Sequence, residues 1–263
     1  MPADLQANAL SDALSDARAT GRTWLDLTES NPTRAGLRAP DNLLAALGSP
    51  DGTRYAPDPR GLLVAREAVS SDYAARGIDV PADRLILTAS SSESYSLLFK
   101  LLANPGEEVL VPVPSYPLFE YLARLDGVLV RTYPLSFDHE WHLSVDALAA
   151  EITSATRAVV LVHPNNPTGS FIKREEARAL LNVCAERGVA VIADEVFADF
   201  ALERTDAASA HPSFALDSKA LAFALGGLSK SCGLPQLKLG WIAVSGPPDL
   251  RQEALSRLEF IAD

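Results

Sequence analysis

The sequence predicts an α/β fold in three layers, a mostly parallel sheet flanked by helices, and two observations carry that prediction. Seven short apolar runs recur along the chain, continuous in Val, Ile, Leu and Ala rather than alternating with polar residues. Strands of that kind are covered on both faces, as in parallel sheets. Segments of helical period lie between most of the runs, as strand–helix–strand units require. In chain order, residues 5–19 have a weak helical period. "WLDLTESNPTRAG" (24–36) passes from an apolar patch into a loop broken by Pro32 and Gly36. "YAPDPRG" (55–61) is a Pro-rich turn leading into an amphipathic helix that ends at Gly77. The strand-like runs are 84–88, 108–112, 128–133, 157–162, 189–194, 220–225 and 239–245. Helices are expected after Ser91 up to Pro105, and over 115–125, 144–152 and 173–187. A last amphipathic stretch, "LRQEALSRLEFIAD", reaches Asp263 without a cap.

The composition narrows the function. With 263 residues, 48% hydrophobic and 22% charged, the chain makes one large domain and part of another. A net charge of −11 without a basic cluster argues against a general nucleic-acid binder. No apolar run approaches the ~20 residues that span a bilayer, so no membrane role is expected. The N-terminus lacks the basic start and apolar core of a secretory signal. Cys184 and Cys232 are far apart and without metal spacing. They read as reduced thiols of a cytoplasmic protein, Cys232 packing as a small apolar side chain. "DHEWH" (138–142) offers His139 and His142, too few for a metal site, and reads as a solvated turn. No metal is expected.

In a parallel sheet, ligands bind beyond the carboxyl ends of the strands. The residues that follow each run are therefore the informative ones. After 84–88 come Ser90, Ser91 and Ser92 at a helix start. They suit a phosphate, or serve as a plain N-cap. After 157–162 comes "HPNNPTGS", where the Asn166 amide can face the crevice, or the segment is a turn and no more. His163 ahead of that turn reads as strand-end packing. Asp194 closes the run 189–194, and a carboxylate there is costly unless a cation meets it, whether an Arg or a protonated ring nitrogen. Glu195 points the other way by strand alternation and reads as structural. Tyr116 follows 108–112 and brings an aromatic face. After 220–225 comes "GGLSKSCGLPQLKLGW", in which Lys230 is either a surface lysine or a nucleophile. A phosphate nest, an amide, a lone carboxylate, an aromatic and a lysine on one edge are the contacts a phosphorylated aromatic aldehyde needs, and a lysine among neutral neighbours can attack a carbonyl.

The ordered set "NNPTG", "ADEVFADF" and "SKSCGLPQLKLGW" resembles the class I/II aminotransferases, the fold-type I enzymes dependent on pyridoxal 5′-phosphate (PLP). The resemblance covers nearly the whole chain. It implies that Lys230 forms the internal aldimine and moves the proton between substrate and cofactor. Asp194 pairs with the pyridinium nitrogen, Asn166 donates to the ring 3-oxygen, and Tyr116 stacks on the ring. Ser90, Ser91 and Ser92 cradle the phosphate. Tyr55 matches the tyrosine that reaches the phosphate of a second subunit, which implies a homodimer. Ser30 and Asn31 match the segment near the substrate carboxylate. The implied reaction transfers an amino group between an amino acid and a 2-oxo acid. The cofactor residues alone leave open a carbon–sulfur lyase, decarboxylase or synthase on the same scaffold, or an inactive PLP-binding fragment.

Three positions depart from the family pattern. Gly227 stands where a serine is usual, and Lys238 where an arginine forks onto the phosphate, so the phosphate is expected to be held less tightly. Phe197 replaces a tyrosine that donates to the ring 3-oxygen, so the internal aldimine is expected to keep its proton to higher pH. The resemblance also implies a division into residues 1–40 (N-terminal arm and start of the small domain), 41–250 (large PLP-binding domain) and 251–263 (start of an interdomain helix). Family members continue for roughly 100 further residues, with the arginine that clamps the substrate carboxylate, so the chain reads as C-terminally truncated. The apolar patch at Trp24 and Leu25 is a candidate contributor to specificity.

Overall fold

The computed structural model describes residues 9–23, 25, 29–201 and 209–263. The chain divides into two compact units, Met1–Pro40 and Asp41–Asp263. In the first, helix α1 (Ala9–Ala19) has no buried residue, in keeping with its weak period. The loop after it is organised by Asn31, whose Oδ1 accepts from the N–H groups of Thr33 (2.9 Å) and Arg34 (3.3 Å), an Asx turn around Pro32. Trp24 lies outside the described residues, and Leu25 is exposed.

Among the described residues, the second unit has eight strands: β1 (Leu85–Thr88), β2 (Glu108–Val113), β3 (Leu129–Asp138), β4 (Glu140–Leu143), β5 (Thr156–Val162), β6 (Ala190–Asp194), β7 (Ala222–Gly227) and β8 (Gly240–Ser245). Their order across the sheet is β1-β8-β7-β6-β5-β2-β3-β4. The five inner strands from β7 to β3 run parallel, while β8, β1 and β4 are antiparallel to their neighbours. All seven apolar runs are strands. The eighth, β4, extends the reading of 138–142 as a solvated turn: Asp138, His139 and Glu140 are an exposed turn, but Glu140–Leu143 is a strand. Here the chain makes a β-hairpin with Asp138 opposite Glu140 and Ser136 opposite His142. His139 occupies the tip in the left-handed region (φ 59°), a place where Asn or Gly would have announced the turn.

Helices α2 (Leu63–Ala75), α5 (Val145–Glu151) and α6 (Arg174–Arg187) cover one face, and α3 (Ser91–Leu102), α4 (Leu118–Leu125) and α8 (Pro248–Ala262) cover the other. A four-residue helix, α7 (Leu228–Ser231), leaves the end of β7. Strand alternation sorts the core. Val159 and Leu161 of β5 pack with Leu148, Leu180 and Cys184, whereas Ala158, Val160 and Val162 pack with Leu98, Phe99 and Phe119. Each such buried Leu or Phe contributes about 1.5–3 kcal/mol. The final helix begins at Pro248 and buries Ala254, Leu255 and Leu258 on the α3 face. This frame sets Val162, Asp194 and Leu225 side by side in register near the carboxyl ends of β5, β6 and β7.

Candidate active site

Asp194 ends β6 on the α3 face and is 9% exposed. Tyr95 Oη donates to its Oδ2 at 3.1 Å, and the Val196 N–H donates to its Oδ1 at 3.2 Å. Both donors are neutral. Burial raises the carboxyl to about 6, against the pull of these donors and of the Lys230 charge. Lys230 sits on α7, with Nζ 5.5 Å from the centroid of the Phe197 ring. Phe197 and Asn166 line the same cleft of ≈ 320 Å³. The structure thus brings Lys230, Phe197, Asp194 and Asn166 to one edge. Tyr116 stands on the loop after β2 and is 48% exposed. That loop is tied to the Asn turn by Asn165 Nδ2, which donates to the Pro114 carbonyl at 3.2 Å.

Ser90 is the N-cap of α3, its Oγ accepting from the Glu93 N–H at 3.3 Å. The cap reading is therefore met by this hydroxyl, while the N–H groups of Ser91 and Ser92 belong to the helix's first turn and have no intrahelical acceptor. The segment carrying Lys238 runs beside this turn, because a Cβ on Gly240 would meet Thr88 Oγ1 at 3.0 Å and the Ser90 carbonyl carbon at 3.2 Å. Lys238 is exposed and left-handed (φ 51°, ψ 54°). The glycine at 227 has a local reason: a Cβ there would lie 3.1 Å from the Leu239 carbonyl oxygen and 3.2 Å from Gly240 Cα. A serine needs the paired strand to give way. Tyr55 is 90% exposed in the loop before α2. Ser30 and Asn31 belong to the first unit.

The donor set fits pyridoxal phosphate on one observation above all. Among the described residues, a buried carboxylate at a strand end has only neutral donors on its oxygens, so a cationic ring N–H complements it. The comparisons decide the family. Residues 22–262 match the family model "Aminotransferase class I and II". The chain belongs to the class I and II aminotransferase family. Members of this family depend on PLP. Among its relatives, the Escherichia coli glutamate-pyruvate aminotransferase AlaA is 30% identical over 245 residues, covering 92% of this chain and 60% of the relative. Human tyrosine aminotransferase is 30% identical over 234 residues, 87% of this chain and 51% of the relative. The structure of an alanine aminotransferase from Pyrococcus furiosus superposes with a TM-score of 0.83 at 26% identity, covering 97% of this chain and 65% of the other. The chain spans about 60% of the length of the AlaA relatives it matches.

Around the family site, two buried titratable groups have structural roles. Glu195 points to the opposite face from Asp194. It accepts from Ser213 Oγ (2.7 Å) and the Phe214 N–H (2.6 Å), and burial pushes it up to about 7. His163 is 2% exposed, and both ring nitrogens are occupied. Nε2 donates to the His211 carbonyl (2.8 Å) and Nδ1 accepts from the Ile172 N–H (3.0 Å), a neutral ring that burial holds down at about 4. His163 is thus a packing residue.

These shifts have opposite signs in stability. A carboxyl raised in the fold favours folding fully below its ordinary value of 4.5 and loses that contribution as pH rises through 7. A histidine lowered in the fold costs stability as pH falls from 6.5 towards 4. The Glu195→Gln variant mimics the protonated acid: its one oxygen accepts from the Phe214 N–H, and its amide N–H donates to Ser213 Oγ, reversing that bond. Its stability relative to wild type should improve by about 3 kcal/mol between pH 4.5 and pH 8, the His163 contribution cancelling in the comparison. Urea unfolding at both pH values checks this, and a pH-independent difference would contradict it.

Two residues corrected or extended the sequence reading. Cys232 is exposed rather than packed, because the turn after α7 carries it outward. Tyr95 was not singled out from the sequence. Its signal was present: on α3 it shares a face with Leu98 and Phe99, so its hydroxyl enters the core and needs a partner. Phe171 and Phe200, also on the cleft wall, carried no such signal.

Proposed function

We propose that the chain binds pyridoxal phosphate at the β6–β7 edge and catalyses transfer of an amino group between an amino acid and a 2-oxo acid. The observation that supports this most is Lys230, with Nζ over Phe197 and its charge felt at the buried Asp194. When bound, PLP supplies an electron-withdrawing ring that stabilises negative charge at the substrate α-carbon. The chain's residues do the rest. Lys230 supplies the amine for covalent attachment and carries a proton to and from the α-carbon. Asp194 keeps the ring nitrogen protonated, and the Asn166 amide donates to the ring 3-oxygen. Tyr116 offers a face for stacking. The first turn of α3, with Ser90, Ser91 and Ser92, takes the phosphate together with Lys238, a point charge in place of a fork. Phe197 offers no hydroxyl to the 3-oxygen.

Residues 41–250 form the cofactor domain in this reading, and Ser30 and Asn31 match the family segment that lies near the substrate carboxylate. A second copy of the chain completes the phosphate site through Tyr55; its 90% exposure and the exposed Leu62, Leu63 and Val64 at the start of α2 support a homodimer. The free thiols of Cys184 and Cys232 support a cytoplasmic setting. Among the described residues, no helix is long and apolar enough to cross a membrane. A half-reaction tests the proposal. PLP-loaded protein mixed with glutamate, alanine or tyrosine should shift its absorbance to the amine form and release one equivalent of the matching 2-oxo acid. No 2-oxo acid from a broader panel of amino acids would overturn it.

A further inference from the structure

We propose that Tyr95 is a positioning residue of this site, its phenol O–H orienting the Asp194 carboxylate towards the cofactor's ring nitrogen. The inference rests on the PLP-binding function proposed above. Tyr95 is 2% exposed, and its ring packs edge-on against Phe119 (centroids 5.1 Å) and tilted against Phe99 (5.9 Å). The phenol is therefore fixed. Its 3.1 Å bond to Oδ2 and the 3.2 Å bond from the Val196 N–H to Oδ1 hold the carboxylate plane, which otherwise turns broadly about its last torsion. A neutral donor has a chemical advantage over an arginine. It orients the carboxylate without cancelling the charge that the ring nitrogen requires. Donation to the ionised form also makes the carboxylate a weaker base, which keeps the shared proton on the ring.

The charged and titratable groups around this pair come from four elements. Tyr95 on α3 and Lys230 on α7 both favour the ionised carboxylate. Glu195 continues from the end of β6 and interacts with Asp194 from the opposite face. Tyr133 on β3 acts on the Tyr95 phenol. Burial and the Asp194 charge hold that phenol well above the ordinary tyrosine range, so it remains a donor throughout the working pH range.

The test compares wild type with Tyr95→Phe, which keeps the ring and its packing. In PLP-free protein, the Asp194 ¹³C-carboxyl signal, assigned by its loss in Asp194→Asn, is titrated by NMR. The midpoint should rise by about one pH unit in Tyr95→Phe, the scale of one lost buried hydrogen bond. In protein loaded with ¹⁵N-PLP, the ring nitrogen should lose its proton at lower pH than in wild type. A purely structural tyrosine would lower the melting temperature and leave both titrations in place. Should Tyr95→Phe fail to fold, 3-fluorotyrosine introduced at position 95 retains the bond with a stronger donor and should lower the Asp194 midpoint. Coincident Asp194 curves in wild type and the folded variant would overturn the role of Tyr95. Failure of wild type itself to take up PLP would overturn the functional reading and this inference with it, a result seen without any variant.

Discussion

The Lys230→Ala variant should carry out the half-reaction about 10⁴-fold more slowly than wild type, because one substitution removes both the attachment point and the proton carrier. Lys230 Nζ is held against Phe197, and its field reaches Asp194. The side chain is exposed, so its removal leaves the packing intact. Helix α7 keeps its anchors, the Ser231 hydroxyl donating to the Gly227 carbonyl (3.0 Å) and the Leu228 N–H donating to the Leu239 carbonyl (3.0 Å). Stability should therefore stay within ~0.5 kcal/mol of wild type. Single-turnover absorbance with a saturating amino acid measures the rate, and urea unfolding measures the fold. A loss below tenfold would remove Lys230 from the chemistry.

Asp194→Asn should move activity and stability in opposite directions. The amide keeps an acceptor for Tyr95 but cannot hold a proton on a ring nitrogen, so the half-reaction should fall by about 10²–10³-fold, the range seen when one electrostatic partner of a reacting system is lost. The stability change follows from the raised carboxyl. Its contribution in the PLP-free fold is complete below 3.8 and is lost as pH rises through about 6, since above that the buried group is ionised. Over that interval the wild type loses roughly 3 kcal/mol that the variant does not. PLP-free Asp194→Asn should therefore gain on wild type between pH 4 and pH 8 in urea unfolding, while the loaded variant slows. Such a trade is expected where a costly group is retained for function. A variant with wild-type rate and no pH-dependent gain would contradict the assignment.

The sequence was most legible where one physical requirement dominates. Parallel strands need apolar residues on both faces, so "RAVVLV" and "AVIAD" declare themselves, and the residues after them fall on the ligand edge. Strand alternation also assigned Asp194 and Glu195 to opposite faces, as the structure has them. The β3–β4 hairpin was hidden because its tip is His139 rather than Gly or Asn, and its strand, "EWHL", is short and mixed. Its anchor is tertiary, the buried Leu143 with its N–H donating to Glu176 Oε1 of α6 (3.0 Å), and no local pattern contains it. Tyr95 was hidden for the same reason: its partner is 99 residues away, and only the fold brings the hydroxyl to the carboxylate. Gly227 read as a departure from a family pattern, whereas the structure supplies a cause in the close approach of β8.

The central claim is that Lys230 is the residue joined to the cofactor. Borohydride reduction of the PLP-loaded protein, followed by proteolysis and mass spectrometry, tests it most directly. A phosphopyridoxyl mass on the peptide containing Lys230, in near-stoichiometric yield and absent from Lys230→Ala, is the expected result. Label on another lysine, or spread over several at low yield, would contradict the account.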